Sequence, residues 1–207
     1  MRPANSAVLA SLRRVTWAKV WRRFRRLLFR AVEERMYRLS VNDAMDFEKV
    51  PEFRTDCWED IERYVTQPGE SLAAVLEDSR KRLALGEHVL TRVEDGKLAT
   101  YGWLVERQKE CFLNEVGQYY KFPDGSAVIY DFFTVPEYRN REFYGELLMH
   151  SVRSAAEIAG TKWIYMAARA DDNVPRWWVE KLGTEYCGSL YYRRVLWSTK
   201  KWRKLLV

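Results

Sequence analysis

The chain has 207 residues, 47% of them hydrophobic and 14% aromatic, which is ample for a packed core and excludes global disorder. Its 35 Lys and Arg against 29 Asp and Glu leave a net charge of +6, so the expected partners are anionic: cofactor phosphates, a membrane surface or nucleic acid. Three scattered cysteines (Cys57, Cys111, Cys187) fit a reduced cytoplasmic protein, and the isolated His88 and His150 lack ligand spacing, so no metal site is expected.

In chain order, residues 1–14 are small and polar, and no apolar run follows that suits a signal peptide or a spanning helix. Residues 15–36 differ. Trp17, Val20, Trp21, Phe24, Leu27, Leu28 and Ala31 recur at the three- and four-residue spacing of one helix face. Lys19, Arg22, Arg23, Arg25, Arg26 and Arg30 fill the rest. The pattern predicts a basic amphipathic helix making residues 1–36 a separate N-terminal segment. Two readings stay open for it: peripheral contact with an anionic membrane through residues 15–36, or packing on its own domain or on a second protomer of a homodimer. Nucleic acid is disfavoured, because the basic residues surround an apolar face instead of alternating with stacking rings.

Residues 37–40 read as the first strand of one domain over 37–196, uninterrupted by linker or repeat. After a polar turn over 42–51, helices are expected over 57–66 and 71–85. Gln67-Pro68-Gly69 breaks them, Gly69 is the favoured N-cap of the second over Ser71, and Gly86 ends it. Strands over 88–93 and 97–106 flank Glu94-Asp95-Gly96, a hairpin signal. Residues 112–120 are polar and aromatic without a clear period, and 122–125 form a turn.

Residues 127–135 are a β-type apolar run ended by Pro136, which has no N–H for a ladder. The polar turn Glu137-Tyr138-Arg139-Asn140-Arg141 leads into a helix over 140–159, stopped by Gly160, with Phe143, Leu147, Leu148 and Ser151 on one face. Strand, basic turn and helix start together favour phosphate, through orphan amides, the helix dipole and nearby Arg side chains. A strand over 162–168, a helix over 176–182 ending at Gly183, and a last hairpin from 187–190 and 191–196 follow. Residues 197–207 read as a basic tail carrying Trp197 and Trp202. Asp131 is a charge inside an apolar strand, and such a charge usually has a partner or a purpose.

The run Tyr130-Asp131-Phe132-Phe133-Thr134-Val135-Pro136-Glu137-Tyr138-Arg139 resembles motif A of the GCN5-related N-acetyltransferase (GNAT) superfamily, in which such a strand leads into R/Q-x-x-G-x-G/A. Tyr101-Gly102-Trp103-Leu104 resembles that family's third strand, and Glu180-Lys181-Leu182-Gly183 its final helix. The glycines depart: Glu142 and Tyr144 stand where the family has Gly, and Gly145 lies one residue late. A branch reading Y-R-G-R-G-L-Y-P-x-L-L, also with Tyr at the second glycine, is the nearer likeness.

The resemblance implies an α/β fold, a mixed and mostly antiparallel sheet flanked by helices, with acetyl-CoA as co-substrate. Cofactor contacts would fall on Phe133, Thr134, Val135, Arg139, Asn140, Arg141, Glu142, Phe143, Tyr144, Gly145 and Asn173. Backbone amides of Thr134 and Val135 would hold the pantetheine, and one would polarise the thioester carbonyl; Asp131 would be the foremost candidate for the family's general base, with Tyr130 and Glu115 behind it. The family's Tyr acid falls on Val179, so the thiolate would take its proton elsewhere. The implied activity is acyl transfer to a small-molecule amine, an amino sugar or a precursor of a surface polysaccharide or lipid, at the inner membrane face. Two alternatives stay open: a non-catalytic scaffold of this fold, and an acyltransferase fed by an acyl-carrier protein.

Overall fold

The computed structural model describes residues 29–139 and 141–206. The first described element is β1 (Phe29–Ser40), paired on one edge and then the other with strands from the C-terminal half. Its residues alternate: Val32 and Met36 enter one apolar cluster, Tyr37 and Leu39 another on the opposite face. The helix expected over 15–36 is therefore corrected at its end. Residues 29–36 are strand, because period-two burial from Val32 on and a ladder along one whole edge, joined by a second from Glu34, override the basic helical spacing there. Residues 15–28 of that helix, with both readings attached to it, lie outside the described residues.

A short helix α1 (Val41–Ala44) is capped by the Ser40 hydroxyl, which accepts from the Asp43 amide at 3.2 Å. After β2 (Arg54–Thr55), α2 (Trp58–Ile61) is a single turn, shorter than expected, and α3 (Leu72–Ala84) follows. Ser71, not Gly69, is the N-cap of α3: Ser71 is extended, whereas Gly69 has φ +93°, which suits the preceding turn and not a cap. The strands β3 (His88–Glu94) and β4 (Lys97–Val105) meet at Asp95-Gly96, with φ of 51° and 76°, as the two-residue hairpin requires. The aromatic stretch without a clear period becomes a small separate hairpin, β5 (Glu110–Leu113) and β6 (Gln118–Lys121).

Next come β7 (Ser126–Thr134), a 3-10 turn (Pro136–Tyr138), α4 (Phe143–Ala156), β8 (Trp163–Arg169) and α5 (Asn173–Lys181). All four residues assigned to one face of α4 are buried. The chain closes with β9 (Glu185–Val195) and β10 (Ser198–Leu205). Two expectations fail here. Residues 187–195 belong to one strand, and the presumed tail supplies its hairpin partner, turning at Leu196, whose φ is 53°. Every residue of β10 is exposed, so it carries no burial signal; backbone pairing with β9 alone makes it a strand.

Among the described residues the main sheet has the order β10-β9-β1-β8-β7-β4-β3-β2, antiparallel except for β7 and β8. That one parallel pair follows from the α4 crossover. α4 and α5 cover one face over a core that includes Ile129, Leu147, Leu148, Ile164, Met166 and Val179. The β5–β6 hairpin covers the other face above Val32, Met36, Val128, Tyr165 and Leu190, with α2 and α3 beside it over Val89, Leu98 and Trp103.

Candidate active site

The site begins with a split in the sheet. β7 and β8 pair only at Ser126, Ala127 and Val128 against Trp163, Ile164 and Tyr165. Beyond Val128 one strand follows β4 and the other follows β1. The cause is local: Tyr101 pairs with Phe133 and Trp103 with Tyr130, so Asp131 and Phe132 together oppose Gly102 in a β-bulge. A bulge adds twist and bends its strand. Asp131 takes the left-handed φ of 54° that Asp tolerates better than most residues. Gly102 is required, because a Cβ there would collide with the Phe132 ring. A slot of about 50 Å³ lies in the split, walled by Ile129 to Phe132, Tyr144, Leu148, Met166, Ala167 and Val179.

On the helical face the slot shares Phe132 and Tyr144 with a groove of about 490 Å³. Phe133, Thr134 and Arg139 line it from the end of β7 and the turn, Glu142 and Phe143 from the start of α4, and Asp172, Val174, Pro175 and Trp178 from α5 and the residue before it. The α4 N-terminus opens onto this groove. The first α4 amide to find a helical carbonyl is that of Glu146, on Glu142, and no side chain caps those before it. Side-chain charge around it is mixed: Arg139 lines the groove together with the carboxylates Glu142 and Asp172. The turn is held rigidly. Tyr138 is buried, stacks on Phe143 at 6.1 Å and donates its hydroxyl to the Glu94 carbonyl, while Arg139 Nε donates to the Thr134 carbonyl at 3.1 Å.

On the opposite face the slot shares Ile129, Tyr130 and Ala167 with a pocket of about 370 Å³ under the β5–β6 hairpin. Here Tyr130 donates its hydroxyl to the Glu87 carboxylate. Burial first, then that hydrogen bond, push the Tyr130 hydroxyl well above its ordinary pKa, so it stays a donor. Tyr144, on the groove side, is likewise raised, mainly by burial. Glu87 follows Gly86 at the end of α3, and its partner stands 43 residues away in sequence. No signal local to Gly86-Glu87 marks it. Deeper under the hairpin, Glu34 is 8% exposed, and burial, then the nearby Glu115, raise its pKa to about 7.

No protein-family model matches the chain, and no curated protein shows significant sequence similarity to it. Solved structures do match. A GNAT-family acetyltransferase from Colwellia psychrerythraea superposes with a TM-score of 0.57 at 10% identity, over 81% of this chain and 57% of that one. The fold is the GNAT fold. A GNAT-family protein from Novosphingobium aromaticivorans gives 0.51 at 16% identity, over 78% of this chain and 63% of that one. A functionally unknown conserved protein from Staphylococcus epidermidis gives 0.54 at 10% identity, covering 84% of this chain and 66% of that one. The chain thus spans between about half and two thirds of each of these structures.

Within the GNAT fold the candidate residues separate. Phe133, Thr134, Arg139, Glu142, Phe143 and Tyr144 line the groove together. Val135 does not: it is buried, and its amide donates to the Ala99 carbonyl at 3.0 Å. Alternation along the strand turns the Thr134 peptide the other way, toward the groove, so one of the two expected amides remains. Arg141 is exposed with its guanidinium 5.3 Å from the Tyr138 ring centre, and Asn140 lies outside the described residues. Gly145 is not on the groove wall. It lies under Trp178, where a Cβ would strike the indole, so this glycine serves the contact of α4 with α5.

Asn173 begins α5 and accepts from Arg176 at 3.0 Å. Tyr130 stands at the slot, and Asp131 lines it but sends its carboxylate outward, half exposed, to Arg82 at 2.7 Å. Glu115 sits away from the slot, paired with Arg30 at 2.8 Å. His150 is a core residue, accepting from the Val50 amide. Among the described residues no cluster of three His, Cys, Asp or Glu side chains could hold a metal ion, and no helix is long and apolar enough to cross a membrane.

Proposed function

We propose that this chain is an acyl-CoA-dependent N-acyltransferase that passes the acyl group directly to an amine. The observation that carries the reading is the split between β7 and β8, with a groove on one face, a pocket on the other, and Tyr130 and Tyr144 on the walls between them. Direct transfer needs the two reactants held on one line, and a gap in a sheet covered differently on its two faces does this. Acetyl-CoA would supply an activated acyl group. The α4 amides and Arg139 would hold its phosphates and the Thr134 peptide edge its pantetheine arm.

Proton handling falls to the residues on either side of the slot. Glu87, oriented by Tyr130, takes the proton from the acceptor nitrogen, and Asp131 yields that role because Arg82 holds its carboxylate at the outer rim. Val179 is buried in the core and offers the thiolate no proton, so that role falls to Tyr144, which lines both the groove and the slot. Calorimetric titration of acetyl-CoA tests the reading. A Kd near micromolar, roughly −8 kcal/mol, with loss on Arg139→Ala and little change on Arg141→Ala, is expected. No binding at millimolar ligand would refute it.

A second reading has its own support. Glu142 and Asp172 at the groove repel phosphate, and Trp178 covers the glycine nearest the motif. Both suit a scaffold module without coenzyme A affinity, and the same titration decides.

A further inference from the structure

The pocket on the hairpin face carries a charge pattern that narrows the acceptor, given the acyltransferase reading above. Its walls are mainly apolar, with Met36, Val105, Phe122 and Val128 among them, and its ionisable carboxylates are Glu87 and Glu110. None of its lining residues is Lys, Arg or His. Arg82, 5.5 Å from the Tyr130 ring centre, is already paired with Asp131 at 2.7 Å and Asp78 at 2.8 Å. A phosphate entering this pocket would lose its water with no opposite charge to meet, whereas an ammonium would meet Glu87. The volume of about 370 Å³ lies at the small end for ligand sites.

Position fixes the orientation. Tyr130 lines both the slot and the pocket, Glu87 meets its hydroxyl on the pocket side, and the apolar lining includes Cys111, Phe112 and Leu113 of β5. That hairpin is a fixed roof. Gln118 donates to the Tyr191 carbonyl at 2.9 Å, Lys201 donates to the Gly117 carbonyl at 2.6 Å, and Trp202 stacks on Tyr191 at 4.9 Å.

We infer that the acceptor is a small primary amine with an aryl or alkyl body, its ammonium paired with Glu87, and that phosphorylated amino sugars are excluded. The step balances. The ammonium gives one proton to Glu87 and on to solvent, its nitrogen forms the C–N bond as C–S breaks, and its second proton ends on the departing sulfur by way of Tyr144.

The test is calorimetric titration of 2-phenylethylamine and of glucosamine 6-phosphate, with and without saturating coenzyme A, into the full chain and its Glu87→Gln variant. Acetyl-CoA is titrated into each protein separately. Expected are saturable binding of 2-phenylethylamine, weakened tenfold or more by Glu87→Gln, and no binding of the phosphosugar. Acetyl-CoA affinity should be equal in both proteins, which shows the variant is folded. Preference for the phosphosugar, or equal amine binding by Glu87→Gln, overturns the inference. Acetyl-CoA binding without any amine binding overturns it and leaves the acyltransferase reading standing. Amine binding without acetyl-CoA binding supports the amine pocket and overturns the transferase reading.

Discussion

Replacing Glu34 by glutamine should make the protein more stable, and increasingly so as pH rises. Glu34 is 8% exposed on the middle of β1, and one of its carboxylate oxygens has no hydrogen-bond partner. Burial dominates its titration; Glu115 and Asp171 raise the pKa further, and Arg169, bound to Asp171 at 2.7 Å, lowers it only in part. The result is a carboxyl moved from the usual 4.5 to about 7. The native state therefore holds its proton more tightly than the unfolded chain, so stability falls as pH rises from 4.5 to 7 and the loss is complete above 7. A shift of this size is worth about 3 kcal/mol when complete and about 1 kcal/mol at pH 5. Glutamine has the same shape without the charge, so the gain of Glu34→Gln over wild type should grow by about 2 kcal/mol from pH 5 to pH 8. Urea unfolding followed by circular dichroism at the two pH values measures it. A stability difference that stays flat with pH would refute the argument, whatever its sign, because a packing effect of the amide would not titrate.

Two further outcomes probe the site itself. Glu142 holds φ 61°, the conformation a glycine would take, and places its carboxylate in the groove. Glu142→Gly should relieve about 1 kcal/mol of backbone strain, partly offset by glycine's freedom in the unfolded chain, and should tighten acetyl-CoA binding several-fold; weaker binding by calorimetry would contradict both the groove and its assignment. In a thioester-consumption assay with a saturating amine, Glu87→Gln should lower kcat by about 100-fold, and Asp131→Asn by less than about tenfold. The reverse order would restore Asp131 as the base.

The legible parts of this chain were those whose cause is local. Asp95-Gly96 makes its turn by backbone preference, and Pro136 ends β7 because it has no N–H. The parts misread are set by distant partners. Residues 29–36 keep a basic, semi-periodic pattern that suits a helix, yet β9 pairs along all of that backbone and β8 along its other edge from Glu34. In β10 the side chains are all exposed, so its role as a strand is written only in the ladder with β9. Glu87 was missed for the same reason: what makes it notable is Tyr130, which the fold brings to it.

Asp131 has a local cause that the sequence pattern did not carry: this charge inside an apolar strand is the left-handed residue of the bulge where β7 and β8 part, with Arg82 as its partner. At the start of α4, Glu142 holds the left-handed φ of 61° that a glycine adopts freely; Val179 lies in the core, and Tyr144 lines the slot. Whether Glu142 still allows phosphate is then a question of charge, not of shape: the conformation is already present, and one carboxylate stands between it and an anion.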